Sequence, residues 1–325
     1  MLGAASETAI LNPIDADFER SEFLADCITG LSANPKTLSC KYLYDAKGSQ
    51  LFEMICELPE YYQTRTEMAL LRNAVMEIAA RMDNNTALIE FGSGASVKTR
   101  ILLNAGSKIA TYVPIDICKE ELDTSSEVIR KDYPDLAVKP IHADFTKPMA
   151  LDPTLRQSSL LGFFPGSTIG NFEQSEAIEF LANARDLLGE NSSLLLGVDL
   201  RKEIDVLIAA YDDAAGVTAA FNLNLLDRIN SELDGNIKRD EFTHEARWNE
   251  SKSRIEMHLV SRSVQTLAIG DRQFKMAEGE SIHTENCHKF SLAQLDRMAT
   301  AAGWEIENEW INDDPGFALI MLAAR

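Results

Sequence analysis

IEFGSGASVKTR, residues 89–100, runs from an apolar segment into a glycine pair and then to a lysine and an arginine. The apolar part, with Thr86-Ala87-Leu88 before it, reads as a strand, and Gly92-Ser93-Gly94 as the tight turn that ends it. The same rhythm repeats outward on both sides. TRTEMALLRNAVMEIAARM, before it, has the spacing of an amphipathic helix. After it come IATYVPIDI, a strand ending in Asp116, and EELDTSSEVIRKDYP, a helix stopped by proline. LAVKPIHADF is a third strand that ends near Asp144, and SLLGFFPGSTIGNF a fourth followed by a Pro-Gly turn. EQSEAIEFLANARDLLG is a helix closed by Gly189, and SSLLLGVDL a fifth strand. Strands alternating with helices in this way imply a mostly parallel, doubly wound α/β sheet covered on both faces.

The rhythm then breaks. Residues 201 to about 230 look helical, and residues 237–290 read as several short antiparallel strands. A helix, SLAQLDRMATAAG, and two strands, WEIENEWIN and GFALIMLAA, close the chain. The expected organisation is a Rossmann-like core of residues 66–200 and 289–325. Residues 1–65 and the insertion 201–288 would form a second α+β lobe.

Bulk composition narrows the functions. The chain has 325 residues, 51 acids against 31 bases, and a net charge of -20. Such a surface repels phosphate backbones and anionic bilayers, which argues against nucleic-acid and membrane partners. No apolar stretch has the length of a bilayer span. Five scattered cysteines without CxxC spacing argue against a zinc knuckle or a disulfide framework. No metal is expected. The opening segment lacks the basic and apolar regions of a signal peptide, which with the scattered cysteines fits a reducing cytoplasm; a monomer is expected.

Ligands of a doubly wound sheet sit at the carboxyl ends of its strands. Three acids fall there, Glu90, Asp116 and Asp144, together with the Gly92-Ser93-Gly94 turn. A phosphate gains nothing from that negative charge, and Val97 and Lys98 occupy the region of the third glycine of a dinucleotide fingerprint. A ligand with ribose hydroxyls, an adenine amino group and a cationic centre gains from all of it. Asp116 suits the ribose and Asp144 the adenine N6, with Phe145 beside it. The pattern therefore favours S-adenosylmethionine over NAD, and a methyltransferase over a phosphate-binding domain. Lys98 is a candidate for the cofactor's carboxylate; Arg100 fits equally well as a solvated charge on the first turn of a helix.

Five ordered blocks go further: KYLYDAKGSQLFEMICELPEYYQTRTE, EFGSGASVKT, GFFPGSTIGNF, AYDDAAGVTAAFNLNLL and TENCHKF. Together they resemble the histidine-specific methyltransferases of ergothioneine biosynthesis over roughly residues 20–325. The resemblance implies trimethylation of the α-amino group of L-histidine to histidine betaine (hercynine). It also implies a substrate held between the two lobes. It places the amino and carboxylate contacts, treated as the catalytic set, on Tyr61, Asn171 and Tyr211, with Tyr44 as a further pocket residue. Tyr62 competes with Tyr61, and Asn171 competes with a role as a helix cap. By the same resemblance Glu285 hydrogen-bonds the imidazole and Met257 lines the ring pocket. Where the family usually has serine two residues after that acid, this chain has Cys287. The departure leaves another aromatic amino acid, such as tryptophan, as an alternative substrate. A non-catalytic S-adenosylmethionine-binding module is the alternative of another class. Strand alternation would also bring His283, Glu285 and Cys287 to one face, a conceivable but unneeded metal set.

Overall fold

The computed structural model describes residues 16–106 and 108–325. The segment MLGAASETAILNPID, read above for a leader, lies outside them. A sheet of parallel strands with an antiparallel hairpin at one edge organises most of the chain. Its spatial order is Trp304–Asn312, Phe317–Ala324, Ser193–Asp199, Leu160–Phe164, Thr86–Phe91, Ile109–Asp116 and Ala137–Val138. Phe317–Ala324 runs antiparallel to both of its neighbours, and the strands from Ser193–Asp199 onward are parallel. This is the doubly wound order, and its first strand, Thr86–Phe91, is buried along its whole length.

Alternation along that strand assigns its side chains to two apolar layers. Ala87, Ile89 and Phe91 join Phe180, Leu181 and Ala184 of helix Gln174–Leu188 and Met298 of helix Leu292–Ala301. Leu88 joins Leu71, Ala74 and Ile78 of helix Tyr62–Arg81 on the other face. Burying a Leu or Phe side chain contributes roughly 1.5–3 kcal/mol, so these layers hold the sheet and fix where its strand ends point.

The third strand of the sequence reading is two fragments, Ala137–Val138 and Ile141–His142, each paired to Ile109–Asp116. Pro140 lies between them and has no N–H to give to the ladder. Residues 201–230 hold two helices, Ile204–Tyr211 and Val217–Glu232. Gly216, at φ 73°, breaks the path between them and caps the second.

A third apolar cluster lies apart from the two sheet layers. It combines residues from the first part of the chain (Phe23, Leu31, Leu43, Tyr61) with Leu207, Phe221, Leu225, Ile255, Met257, Leu259 and Ile282. Its β component is a four-stranded sheet in the order Lys36–Thr37, Ser281–His288, Arg254–Ser261, Phe242–Asn249. The strand Ser281–His288 packs against the short 3-10 turn Thr168–Asn171 that follows core strand Leu160–Phe164. Gly170 makes this approach possible: a Cβ there would stand 3.0 Å from the His288 carbonyl oxygen.

Candidate active site

Where the four-stranded sheet meets the ends of the core strands lies a narrow, half-open cleft. Tyr44, Tyr61, Asn171, Tyr211, Met257, Glu285 and Cys287 all line it. These seven side chains come from six separate segments, so the fold converges on one volume what the sequence spreads over more than two hundred positions. The sequence missed the rest of the wall, Phe52, Ser167, Thr168, Thr218 and Phe221 among it.

Glu285 is 7% exposed, and burial pushes its carboxyl up to about 7, against the thiol of Cys287 and the charge of Lys289. The Asn171 side-chain amide donates to its Oε1 at 3.3 Å, and the Cys287 thiol to its Oε2 at 3.5 Å. Both contacts are long or weak, so a ring N–H entering the cleft displaces little. Burial and then the nearby Glu285 charge raise the Cys287 thiol well above its usual range, so it stays protonated. Asn171 is not a cap: helix Gln174–Leu188 is capped by Glu173 and Glu176 in a reciprocal box.

Tyr61 and Tyr62 separate cleanly. Tyr61 faces the cleft, its ring edge-on to Tyr211 at 6.1 Å. Tyr62 points away and donates to Asp199 at 2.6 Å. Behind them lies a fully buried polar network that the sequence did not disclose. Lys289 and Asp199, with side chains 1% and 0% exposed, pair at 2.8 Å, and Lys202 pairs with the other oxygen of Asp199. Lys289 also donates to the Tyr211 hydroxyl at 2.8 Å, and Gln63 to the same oxygen at 3.2 Å. A phenol has one O–H and two lone pairs. With both lone pairs engaged from behind, Tyr211 turns its O–H toward the Cys287 sulfur, a weak acceptor that an anionic ligand group would replace. Burial raises the hydroxyl pKa of Tyr44, Tyr61 and Tyr211 well above 10, so all three remain neutral donors.

The glycine turn and strand-end acids form an adjoining site. Gly92 and Gly94 take φ of 70° and 45°, a region that favours glycine, and a Cβ on Gly92 would stand 3.4 Å from the Phe145 ring. Asp116 is 8% exposed; its Oδ2 accepts from the Gly94 N–H at 2.8 Å and its Oδ1 from the Cys118 N–H at 2.9 Å. Burial raises its pKa, opposed by those backbone donors. Asp144 holds the Thr146 N–H at 3.0 Å with Oδ1, and its Oδ2 lies 3.8 Å from Lys41. Lys98 pairs with the buried Glu67 at 2.5 Å, and Glu67 also accepts the Gly166 N–H at 2.9 Å. Since Gly166 lines the cleft, Lys98 stands between the two sites. Arg100 turns outward to Asp132. Glu90 does not face a ligand: it is 1% exposed, accepts a hydrogen bond from the Tyr112 hydroxyl, and is raised by burial to about 7. The buried Ser93 hydroxyl has no partner among the described residues. An orphaned hydroxyl, a glycine cradle and a carboxylate acceptor fit a ribose-bearing ligand without phosphate, as S-adenosylmethionine is.

A β-bulge between His283 and Glu285 splits the imagined metal set. Glu285 pairs with Met257 and faces the cleft, whereas His283 pairs with His258 on the other side of the sheet.

A family model described as histidine-specific, SAM-dependent methyltransferase matches residues 23–324. The chain is 38% identical to a histidine N-alpha-methyltransferase of Mycolicibacterium smegmatis, over 98% of this chain and 99% of that one. It is 36% identical to the protein of the same name from Mycobacterium tuberculosis, over 97% and 99%. Ergothioneine biosynthesis protein 1 of Neurospora crassa is 31% identical over 85% of this chain, which spans 32% of that longer protein. The chain belongs to the histidine-specific, S-adenosylmethionine-dependent methyltransferase family.

Proposed function

We propose that this chain methylates the α-amino nitrogen of L-histidine three times, giving histidine betaine, the first step of ergothioneine biosynthesis. The observation that carries the reading is the cleft itself: one buried carboxyl, Glu285, at its wall, and the neutral donors Tyr61, Tyr211 and Asn171 lining it with Glu285. In this reading Glu285 accepts the imidazole N–H, with Met257 and Cys287 beside the ring. Asn171, which can both accept and donate, bridges to the amine and carboxylate. Tyr211 donates to the carboxylate, as its occupied lone pairs dictate, and Tyr61 and Tyr44 close the aromatic wall around a nitrogen that becomes a permanent cation.

Gly92, Ser93, Gly94, Asp116, Asp144, Phe145 and Lys98 would hold S-adenosylmethionine. When bound, it supplies a methyl group on a positively charged sulfur. The task left to the side chains is alignment of the amine, which lowers a barrier by up to ~7–11 kcal/mol when geometry is right. A tightly walled cleft of six converging segments is suited to that task.

The proposed division into lobes is 66–200 with 289–325 for the cofactor and 1–65 with 201–288 for the substrate. It is supported by the apolar cluster that residues before 63 share with residues 207–287. The proposal takes the enzyme as a monomer, and the free cysteines support a reducing compartment. The test is incubation of purified protein with S-adenosylmethionine and each amino acid in turn, followed by mass spectrometry. Mono-, di- and trimethylated histidine are expected. Methylation of tryptophan in preference to histidine would move the assignment to the alternative substrate.

A further inference from the structure

The four-stranded sheet that walls the cleft also has an outer face. On strand Arg254–Ser261, Glu256 and His258 point to the side opposite Met257, and the register sets His283 across from His258. One ligand atom from each of these three residues lies within 4.8 Å of the others, and the two imidazole rings stack with centroids 5.0 Å apart. We propose that Glu256, His258 and His283 form a binding site for a divalent transition-metal ion of the zinc class, on the back of the pocket sheet and separate from methyl transfer.

The surrounding bonds already orient the donors. A backbone carbonyl can only accept, so His283 Nε2, 3.0 Å from the Glu285 carbonyl, carries the proton and leaves Nδ1 its lone pair. His258 Nδ1 is 3.3 Å from the Ser281 hydroxyl, while its Nε2 is 3.4 Å from Glu256 Oε2. On Glu256, the Arg254 guanidinium and the Asn249 amide both bind Oε1, the latter at 2.8 Å. Oε2 is left facing His258. Ligand histidines whose second nitrogen is tied to a carbonyl or hydroxyl, and ligand carboxylates held by one oxygen, are the usual outer shell of such sites.

Two imidazoles and a carboxylate suit Zn²⁺ or Co²⁺ rather than the oxygen-seeking Mg²⁺ or Ca²⁺. The local field permits a dication. The carboxylates Glu173, Glu245 and Glu256 balance Arg247, Arg254 and the half-exposed Lys252. An ion here would clamp two strands beside the bulge that turns Glu285 into the cleft.

The experiment uses the full chain, tag-free and stripped with chelator. Zn²⁺ is titrated by calorimetry, Co²⁺ by visible absorption, and the melting temperature is read with and without Zn²⁺. One ion per chain and a raised melting temperature are expected. Glu256→Gln and His258→Asn should each weaken Zn²⁺ binding by at least ~10-fold, since even outer-shell losses cost that much. Cys287→Ser, which alters the cleft instead, should leave Zn²⁺ affinity unchanged. Absence of binding by the wild type would overturn the proposal, as would wild-type affinity in both Glu256→Gln and His258→Asn or loss of binding in Cys287→Ser. If these two variants do not fold, anomalous diffraction at the zinc edge from wild-type crystals decides. A peak between Glu256, His258 and His283 upholds the site, and a peak elsewhere or none at all refutes it.

Discussion

Replacing Glu285 with alanine removes the only carboxyl among the described residues that line the cleft. In the account above its partner is the imidazole N–H, and a buried donor left without a partner costs ~1–3 kcal/mol. The existing contacts to Glu285, an amide at 3.3 Å and a thiol at 3.5 Å, are too long to compete strongly with that bond. They also leave with the carboxyl, so Asn171 cannot take over as an acceptor without breaking its own role toward the amine. The expected loss in kcat/KM for histidine is therefore ~10- to 100-fold, at about 1.36 kcal/mol per factor of ten. A purely apolar ring loses no hydrogen bond, so turnover of phenylalanine or tryptophan should fall far less and the preference should drift toward them. The assay is a side-by-side comparison of kcat/KM on the three amino acids, with circular dichroism and cofactor calorimetry to establish that the variant is folded and binds S-adenosylmethionine normally. An unchanged ranking of the three substrates would show that this acid does not read the ring.

Three further outcomes follow from the same geometry. Lys289→Met breaks a fully buried pair; because Asp199 keeps Lys202 and Tyr62, the loss of stability should be ~2–3 kcal/mol, below or at the bottom of the usual range for such pairs, and histidine affinity should fall more than cofactor affinity as Tyr211 loses its rear donor. Urea unfolding and calorimetry read the two effects, and a stable variant with normal histidine binding would remove Lys289 from the positioning role. Asp116→Ala should weaken S-adenosylmethionine binding about ten-fold or more by calorimetry, since a hydrogen bond to a charged acceptor contributes ~1.5–3 kcal/mol; equal affinity in the folded variant contradicts the ribose assignment. For pH, the folded pKa of Glu285, about 7, lies above its ordinary 4.5, so the folded state binds more protons between those values and stability falls as pH rises from about 4.5 to 7. Glu285→Gln lacks this loss, so relative to wild type it should gain ~1–3 kcal/mol between pH 5 and pH 8 by urea unfolding; a constant difference would refute the buried-acid reading.

The sequence made the sheet and its order of elements legible because parallel strands buried on both faces write long apolar runs, and Thr86–Phe91 is such a run. It could not show that Pro140 divides the third strand in two, since that depends on which N–H groups the neighbour needs. The seven residues expected of a substrate pocket were read through block resemblance, and all of them line the one cleft. What escaped was direction. Glu90 and Asp116 both close parallel strands, yet one turns to Tyr112 and the other to the glycine turn, a choice set by the strand packed alongside. His283 and Glu285 are two apart and would share a face on a regular strand; the bulge between them reverses one. Lys289 and Asp199 lie ninety positions apart, and nothing local marks either as half of a buried pair. Lys98 reads in sequence as a partner for the cofactor's carboxylate, and in the fold it is already paired with Glu67.

The central claim is that the cleft grips the imidazole at Glu285 and leaves the α-amine for methylation. The most direct measurement uses L-histidine labelled with ¹⁵N at the α-position, incubated with the protein and S-adenosylmethionine and followed by proton–nitrogen correlation NMR. The account predicts new methyl protons correlated to the α-¹⁵N alone, ending in a single trimethylammonium signal. Methyl protons on a ring nitrogen, or no methylated histidine from a folded, cofactor-binding protein, would contradict it.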